Sequence, residues 1–93
     1  MSDLVIELQR VVLPEKVQCA LKDELEKAGM INGRFAVGEV TSAPGMVYFL
    51  WHEGGEVPVS MLVTGASLND DNGAREAATV FLSKWKRRIT HQG

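Results

Sequence analysis

A run of basic residues around a tryptophan is the part of this sequence that most suggests ligand binding. Lys84, Lys86, Arg87 and Arg88 surround Trp85 near the end of the 93-residue chain. Cations interleaved with an aromatic ring can bind phosphates and stack on bases, so the run predicts nucleic-acid binding as one alternative. Cations in the last turn of a helix are also favourable because they face the negative end of the helix dipole. That second interpretation accounts for the whole run.

The distribution of charge limits where nucleic acid could bind. All 12 acidic residues but only 6 of the 10 basic residues lie before position 84, so residues 1–83 carry a net charge of −6 and residues 84–93 a net charge of +4. An acidic body is a poor counterpart for a phosphate backbone. A nucleic-acid function would therefore depend on the C-terminal segment alone.

No other combination of residues predicts a catalytic, metal or cofactor site. Cys19 is the only cysteine, so no disulfide or thiolate metal cluster can form within the chain, and a reducing, cytoplasmic location is expected. Its position opposite the apolar stripe of its helix predicts a surface thiol facing solvent that is not activated as a catalytic nucleophile. The acidic loop 69–73 matches a calcium-binding loop only in part and is typical of a helix start. We therefore expect no enzyme activity, no metal and no cofactor.

Apolar residues that recur every three or four positions predict two helices. The first, at about 14–28, begins at Pro14, whose missing N–H needs no partner in a first helical turn, and ends before Gly29. The second occupies about 74–90. Their apolar stripes are Val17, Leu21, Leu25 and Ala28 in the first helix and Ala74, Ala78, Phe81, Trp85 and Ile89 in the second.

The segment between the helices predicts a three-stranded antiparallel meander. Its strands are expected at about 34–41, 46–52 and 57–64, joined by a turn at 42–45 and by a hairpin at Gly54 and Gly55. Pro58 cannot donate to a ladder, so the third strand should begin there or lie at a sheet edge. Residues 4–13 predict an additional N-terminal strand, with a short helix as the alternative. The expectation is a single α+β domain over 1–93.

The helix–meander–helix order resembles the double-stranded RNA-binding domain over about 14–90. The resemblance is one of topology. It implies a lysine cluster at the start of the last helix and a histidine between the first two strands. Residues 69–72 and the turn at 42–45 hold neither. Both departures remove contacts to phosphates and to the groove, so the chain is not assigned to that family.

The middle strand is apolar on both faces, which one helical layer does not require. An antiparallel sheet with one solvated face alternates more cleanly between apolar and polar residues. Either the helices or the N-terminal segment cover both faces, or part of the second face contacts another chain. The strand places Val47, Phe49 and Trp51 on one face and Met46, Tyr48 and Leu50 on the other, and the third strand adds Leu62 to the second face.

These observations predict a small, non-enzymatic interaction module that acts as a regulator, adaptor or inhibitor by binding a larger partner protein. Tyr48, Leu50 and Leu62 are the expected contact residues, and a homodimer is one form that the contact can take. The acidic body favours a basic partner surface. A membrane partner is not expected, because the longest apolar run, 46–51, has six residues and a membrane span needs about 20. The alternative function is nucleic-acid binding through Lys84, Lys86, Arg87 and Arg88.

Overall fold

The computed structural model describes the backbone of residues 3–52 and 58–92 and the side chains of residues 4–52 and 58–87. Its elements follow the order β1 (Asp3–Gln9), α1 (Glu15–Lys27), β2 (Asn32–Glu39), β3 (Met46–His52), β4 (Val59–Thr64), a 3-10 turn (Gly65–Leu68) and α2 (Asp71–Gln92). The α+β class and both helices are thereby confirmed. The predicted hairpin at Gly54 and Gly55 lies outside the described residues.

The strands form one mixed sheet in the order β1-β2-β3-β4. The meander β2-β3-β4 is antiparallel as predicted, whereas β1 runs parallel to β2. Parallel neighbours need a long crossover, and α1 supplies it. The N-terminal segment is thus a fourth strand and not the alternative helix, and its parallel pairing makes the sheet mixed. β4 lies at an edge of the sheet, in agreement with the prediction from Pro58.

Both helices pack against the same face of this sheet. Val17, Leu21 and Leu25 of α1 are fully buried in one core cluster with the inward side chains of the strands. From α2, the Phe81 ring meets Phe35 edge-to-face, with the ring centroids 5.3 Å apart. Such aromatic pairs add about 0.5–1.5 kcal/mol beyond the area that they bury. The core therefore lies between the sheet and a single helical layer.

Most residues of the two predicted apolar stripes are buried in the core. Ala74, Ala78 and Phe81 are fully buried, while Ala28 and Trp85 are half-buried at the rim of the core. The side chain of the last predicted member, Ile89, lies outside the description. Buried core residues that the stripes omitted are Ala20, Met30, Leu68 and Leu82.

The ends of the helices follow local chemistry. Gly29, with a φ of 97°, lets the chain turn after α1, and the Met30 N–H then donates to the Leu25 carbonyl over 3.0 Å. At the start of α2, the Asp70 carboxylate accepts the Gly73 N–H over 2.7 Å. That cap starts α2 at Asp71, earlier than the predicted position 74. The acidic loop therefore serves as a helix start, as its composition indicated.

Candidate protein-interaction face

The sheet face opposite the helices, here called the open face, is built from alternate side chains of the strands. The strand register aligns Tyr48 of β3 with Leu62 of β4, and Leu50 lies two positions further along β3. The described part of the chain places no helix over these three side chains, and none of them belongs to the core cluster. The structure thus brings the three predicted contact residues together on one face.

Tyr48 is fixed across the sheet by its neighbours. Its ring lies over Gly38 of β2, in the space that a Cβ at that position would need. Its hydroxyl donates a hydrogen bond to the Gln9 side chain of β1. Gln9 and Gly38 were missed by sequence reasoning. A glycine inside a predicted strand is the signal of close approach that could have identified the second of them.

Apolar exposure on the open face is lower in the inner strand β3 and higher at both edges of the sheet. Tyr48 and Leu50 are half-buried by their cross-strand neighbours. Leu62 is 60% exposed because β4 has a paired strand on one side only. Towards the opposite edge, Val5 of β1 is 49% exposed. Apolar side chains thus reach solvent across the width of the sheet, although single exposed residues are common on soluble proteins.

The open face carries little of the acidic charge of the chain. Arg34 of β2 forms an ion pair with Glu7 of β1, with 3.4 Å between Nη1 and Oε1. By contrast, α1 on the other side of the sheet carries the acidic residues Glu15, Asp23, Glu24 and Glu26. On α1 these acids are interspersed with Lys16, Lys22 and Lys27, so the helical side has no excess of acid that could steer a basic partner. Contact with the open face would be mainly apolar.

The described basic side chains at the end of α2 do not form one patch. The Lys84 ammonium reaches the edge of the sheet and donates to the Ser60 carbonyl. Trp85 packs against the core cluster. Lys86 lies on the other side of the helix, in a groove that it shares with Glu24 of α1. The side chain of Arg88, the last residue of the predicted cluster, is outside the description, and Arg87 is exposed.

A separate group of charges joins the two helices. The Arg75 guanidinium of α2 donates to Asp23 over 2.9 Å and to Glu24 over 2.8 Å, both on α1. Lys27 lies 3.1 Å from the same Asp23 carboxylate. Hydrogen bonds donated by Arg75 and then by Lys27 lower the pKa of Asp23, and the hydrogen bonds that Arg75 donates to Asp23 and Glu24 raise the pKa of Arg75. The group is fully paired, so it acts as a clamp between the helices.

The remaining candidate sites give less support for a function. Cys19 is exposed on α1, as the helix phase predicted. Within the described ranges, no three His, Cys, Asp or Glu side chains gather in a way that could hold a metal ion. No helix in the same ranges is long and apolar enough to cross a membrane.

Comparison with known proteins adds no family. No protein-family model matches the sequence, and no curated protein matches it either. Inference about function therefore starts from the geometry of this chain.

Proposed function

We propose that this protein is a non-enzymatic interaction module that binds a larger partner protein across the open face of its sheet. The observation that carries the proposal is the packing of both helices on one face, which leaves Tyr48, Leu50 and Leu62 without a covering layer in the described chain. The sequence allowed two ways to cover that face internally. Neither helix lies there, and the N-terminal segment is a strand within the sheet.

The chemistry of the open face suits protein recognition. Tyrosine supplies a large, rigid contact area together with a polar group, and it is enriched at the energetic centres of interfaces. Tyr48 is held in place before binding by Gly38 below its ring and by the hydrogen bond to Gln9. A side chain that is already ordered loses less entropy when a partner binds. The adjacent Leu50 and Leu62 extend the apolar contact on either side.

The experiment that tests this proposal compares Leu50→Glu with the wild-type chain. Each is immobilised, exposed to extract from the source cells, and the retained proteins are quantified by mass spectrometry. Leu50 faces solvent in part, so the variant is expected to keep the wild-type circular dichroism spectrum. A buried, unpaired charge costs an interface several kcal/mol, so a specific partner should be lost. Val12→Glu is the matched control, because Val12 is 93% exposed in the loop after β1.

Two results contradict the proposal. If Leu50→Glu unfolds the chain, Leu50 is required for folding and the open face is not a free contact surface. If the folded variant retains the same proteins as the wild type and Val12→Glu, the contact does not use this face. A partner lost from Leu50→Glu alone identifies the protein that the open face binds.

A further inference from the structure

We propose that two copies of this chain associate through their β4 edges, pairing antiparallel about Leu62 so that the two sheets become one continuous sheet. This interface uses the edge of the sheet and the adjoining side of α2. It shares only Leu62 with the open-face contact residues, and Tyr48 and Leu50 would remain accessible in the pair.

The backbone of β4 presents alternate residues to solvent at this edge. The Val40 N–H donates to the Met46 carbonyl, so Met46 and the alternate residues after it direct their backbone groups towards β2. The intervening residues of β3 therefore bond to β4, through Val59, Met61 and Val63. Ser60, Leu62 and Thr64 then direct their backbone groups outward. The donation from Lys84 to the Ser60 carbonyl is an independent sign of the same direction.

This edge lacks the protection that sheet edges usually carry. Natural edges are blunted by charged residues, prolines, bulges or a covering element. The six residues of β4, VSMLVT, contain no charge, proline or glycine. In the described chain β4 has a neighbouring strand on one side only. The ammonium of Lys84 covers a single carbonyl, and an exposed lysine can move away when a better donor arrives.

A two-fold axis at Leu62 places the outward-directed backbone N–H and C=O groups of one β4 opposite those of the other. The Leu62 residues of the two copies face each other and exchange two backbone hydrogen bonds. Ser60 of each copy then faces Thr64 of the other, and the Thr64 N–H donates to the Ser60 carbonyl that Lys84 otherwise occupies. The Thr64 carbonyl lies at the start of the 3-10 turn, so a hydrogen bond to it from Ser60 of the other copy is not included in the total. The pairing thus forms four backbone hydrogen bonds without changing either strand.

Helix α2 runs beside this edge in the opposite direction to β4. Near its start, Gly73 and Glu76 lie in a groove with Thr64, whereas Lys84 reaches Ser60. Between them, Val80 lines the same groove and is 58% exposed. Val80 is midway between Glu76 and Lys84 in sequence, as Leu62 is midway between Ser60 and Thr64. A two-fold axis at the edge therefore sets Leu62 beside its counterpart on the open face and Val80 beside its counterpart on the helical side of the sheet.

The charges along α2 are complementary under this axis. Glu76 and Lys84 are both exposed; Glu76 lines the groove with Thr64, and Lys84 lies one helical turn beyond Val80, beside Ser60. They are separated by about 12 Å along the helix, close to the roughly 13 Å between Ser60 and Thr64 along the strand. Because the axis exchanges the two ends, Glu76 of each copy faces Lys84 of the other. This match argues for a second copy over an unrelated strand, whose charges would have no reason to fit.

The decisive experiment exchanges the charges and follows association by sedimentation velocity over a series of concentrations. In a dimer of Glu76→Lys, the new lysine of each copy faces Lys84 of the other, which gives two repulsive pairs. In a dimer of Lys84→Glu, the new glutamate of each copy faces Glu76 of the other, which also gives two repulsive pairs. Each variant should dimerise less tightly than the wild type. An equimolar mixture restores two opposite-charge pairs, so its heterodimer should be about tenfold tighter than either variant with itself. Loss of the Lys84 contact with Ser60 cannot produce that recovery.

A second pair of variants separates this interface from the open face. Val80→Glu should make the chain monomeric with an unchanged circular dichroism spectrum, whereas Val12→Glu should associate like the wild type. Leu50→Glu should also remain dimeric, whatever it does to partner capture. A wild-type chain that stays monomeric up to about 1 mM overturns the proposal. So does a mixture no tighter than its components, or a dimer that Leu50→Glu disrupts and Val80→Glu does not.

Discussion

The Tyr48 ring lies over Gly38 of the adjacent strand, where any larger residue would collide with it. The two residues are direct cross-strand partners in the β2–β3 register. From this position the Tyr48 hydroxyl reaches Gln9 on β1, so one side chain connects three neighbouring strands. The absence of a side chain at position 38 is therefore what lays the principal aromatic group of the open face flat on the sheet.

Replacing Gly38 with alanine should displace that ring. We expect Gly38→Ala to lower the free energy of unfolding by about 1 kcal/mol, because the added methyl group moves the Tyr48 ring off the sheet and breaks its hydrogen bond to Gln9. Urea denaturation followed by tryptophan fluorescence measures the change. The same substitution in a Tyr48→Ala background should cost much less, since the ring that it displaces is gone. Equal costs in both backgrounds would show that the ring does not restrict position 38.

The clamp between Asp23 and Arg75 should make stability depend on acid pH. The pKa of Asp23 is lower in the folded chain than its ordinary value, chiefly because Arg75 donates to the carboxylate. Its contribution to stability is therefore complete above the ordinary aspartate pKa and is lost as the pH falls through the lowered folded value. Asp23→Asn should remove this contribution at neutral pH and flatten the acid limb of a stability profile measured by thermal unfolding.

The effect of the clamp should be small and sensitive to salt, because both side chains are partly exposed. Arg75→Gln is the companion variant. It should reproduce the flattened acid limb, and the double variant should add little to either single change. Wild-type and Asp23→Asn profiles that remain parallel down to the acid transition would show that the ion pair does not contribute.

Cys19 should react rapidly with a thiol reagent in the native protein. It is exposed on α1, opposite the buried stripe, so no unfolding is needed for access. We expect the rate with a disulfide reagent to be within about tenfold of that of a small-molecule thiol at the same pH, and the circular dichroism spectrum to stay unchanged. Protection that disappears only in denaturant would mean that another chain covers this side of α1.

The C-terminal basic residues should contribute little to stability. Neutralising Arg87 and Arg88 with glutamine is expected to cost at most about 0.3–1 kcal/mol per charge at low salt, the range for cations in the last turn of a helix. Because α2 continues to Gln92, both positions lie just over one turn before its end, which favours the lower part of that range. Lys16→Gln with Lys22→Gln, on α1, is the control with the same loss of charge. A large loss of nucleic-acid affinity in the Arg87 and Arg88 variant alone, with a shallower salt dependence, would favour the nucleic-acid alternative.

Several features of this chain were determined by sequence because they depend on local geometry. Side chains alternate between the faces of a strand and recur every three to four residues on a helix. The division of β3 into two apolar faces and the exposure of Cys19 follow from these periods alone. Gly29 and Asp70 likewise mark helix ends through bonds to residues only a few positions away. Their types and spacing were sufficient to predict the end of α1 and the role of the acidic loop as a helix start, although α2 begins at Asp71 and not at the predicted position 74.

The tertiary structure alone decided which face of the sheet the helices cover and how β1 pairs. An apolar stripe specifies that a helix must be buried but not against which surface, so helices on one face or on both satisfy the same pattern. The contact of Lys84 with Ser60 and the clamp from Arg75 to Asp23 join residues 24 and 52 positions apart. Such contacts depend on the packing of whole elements. For that reason the open face and the free β4 edge became visible only once those elements were assembled.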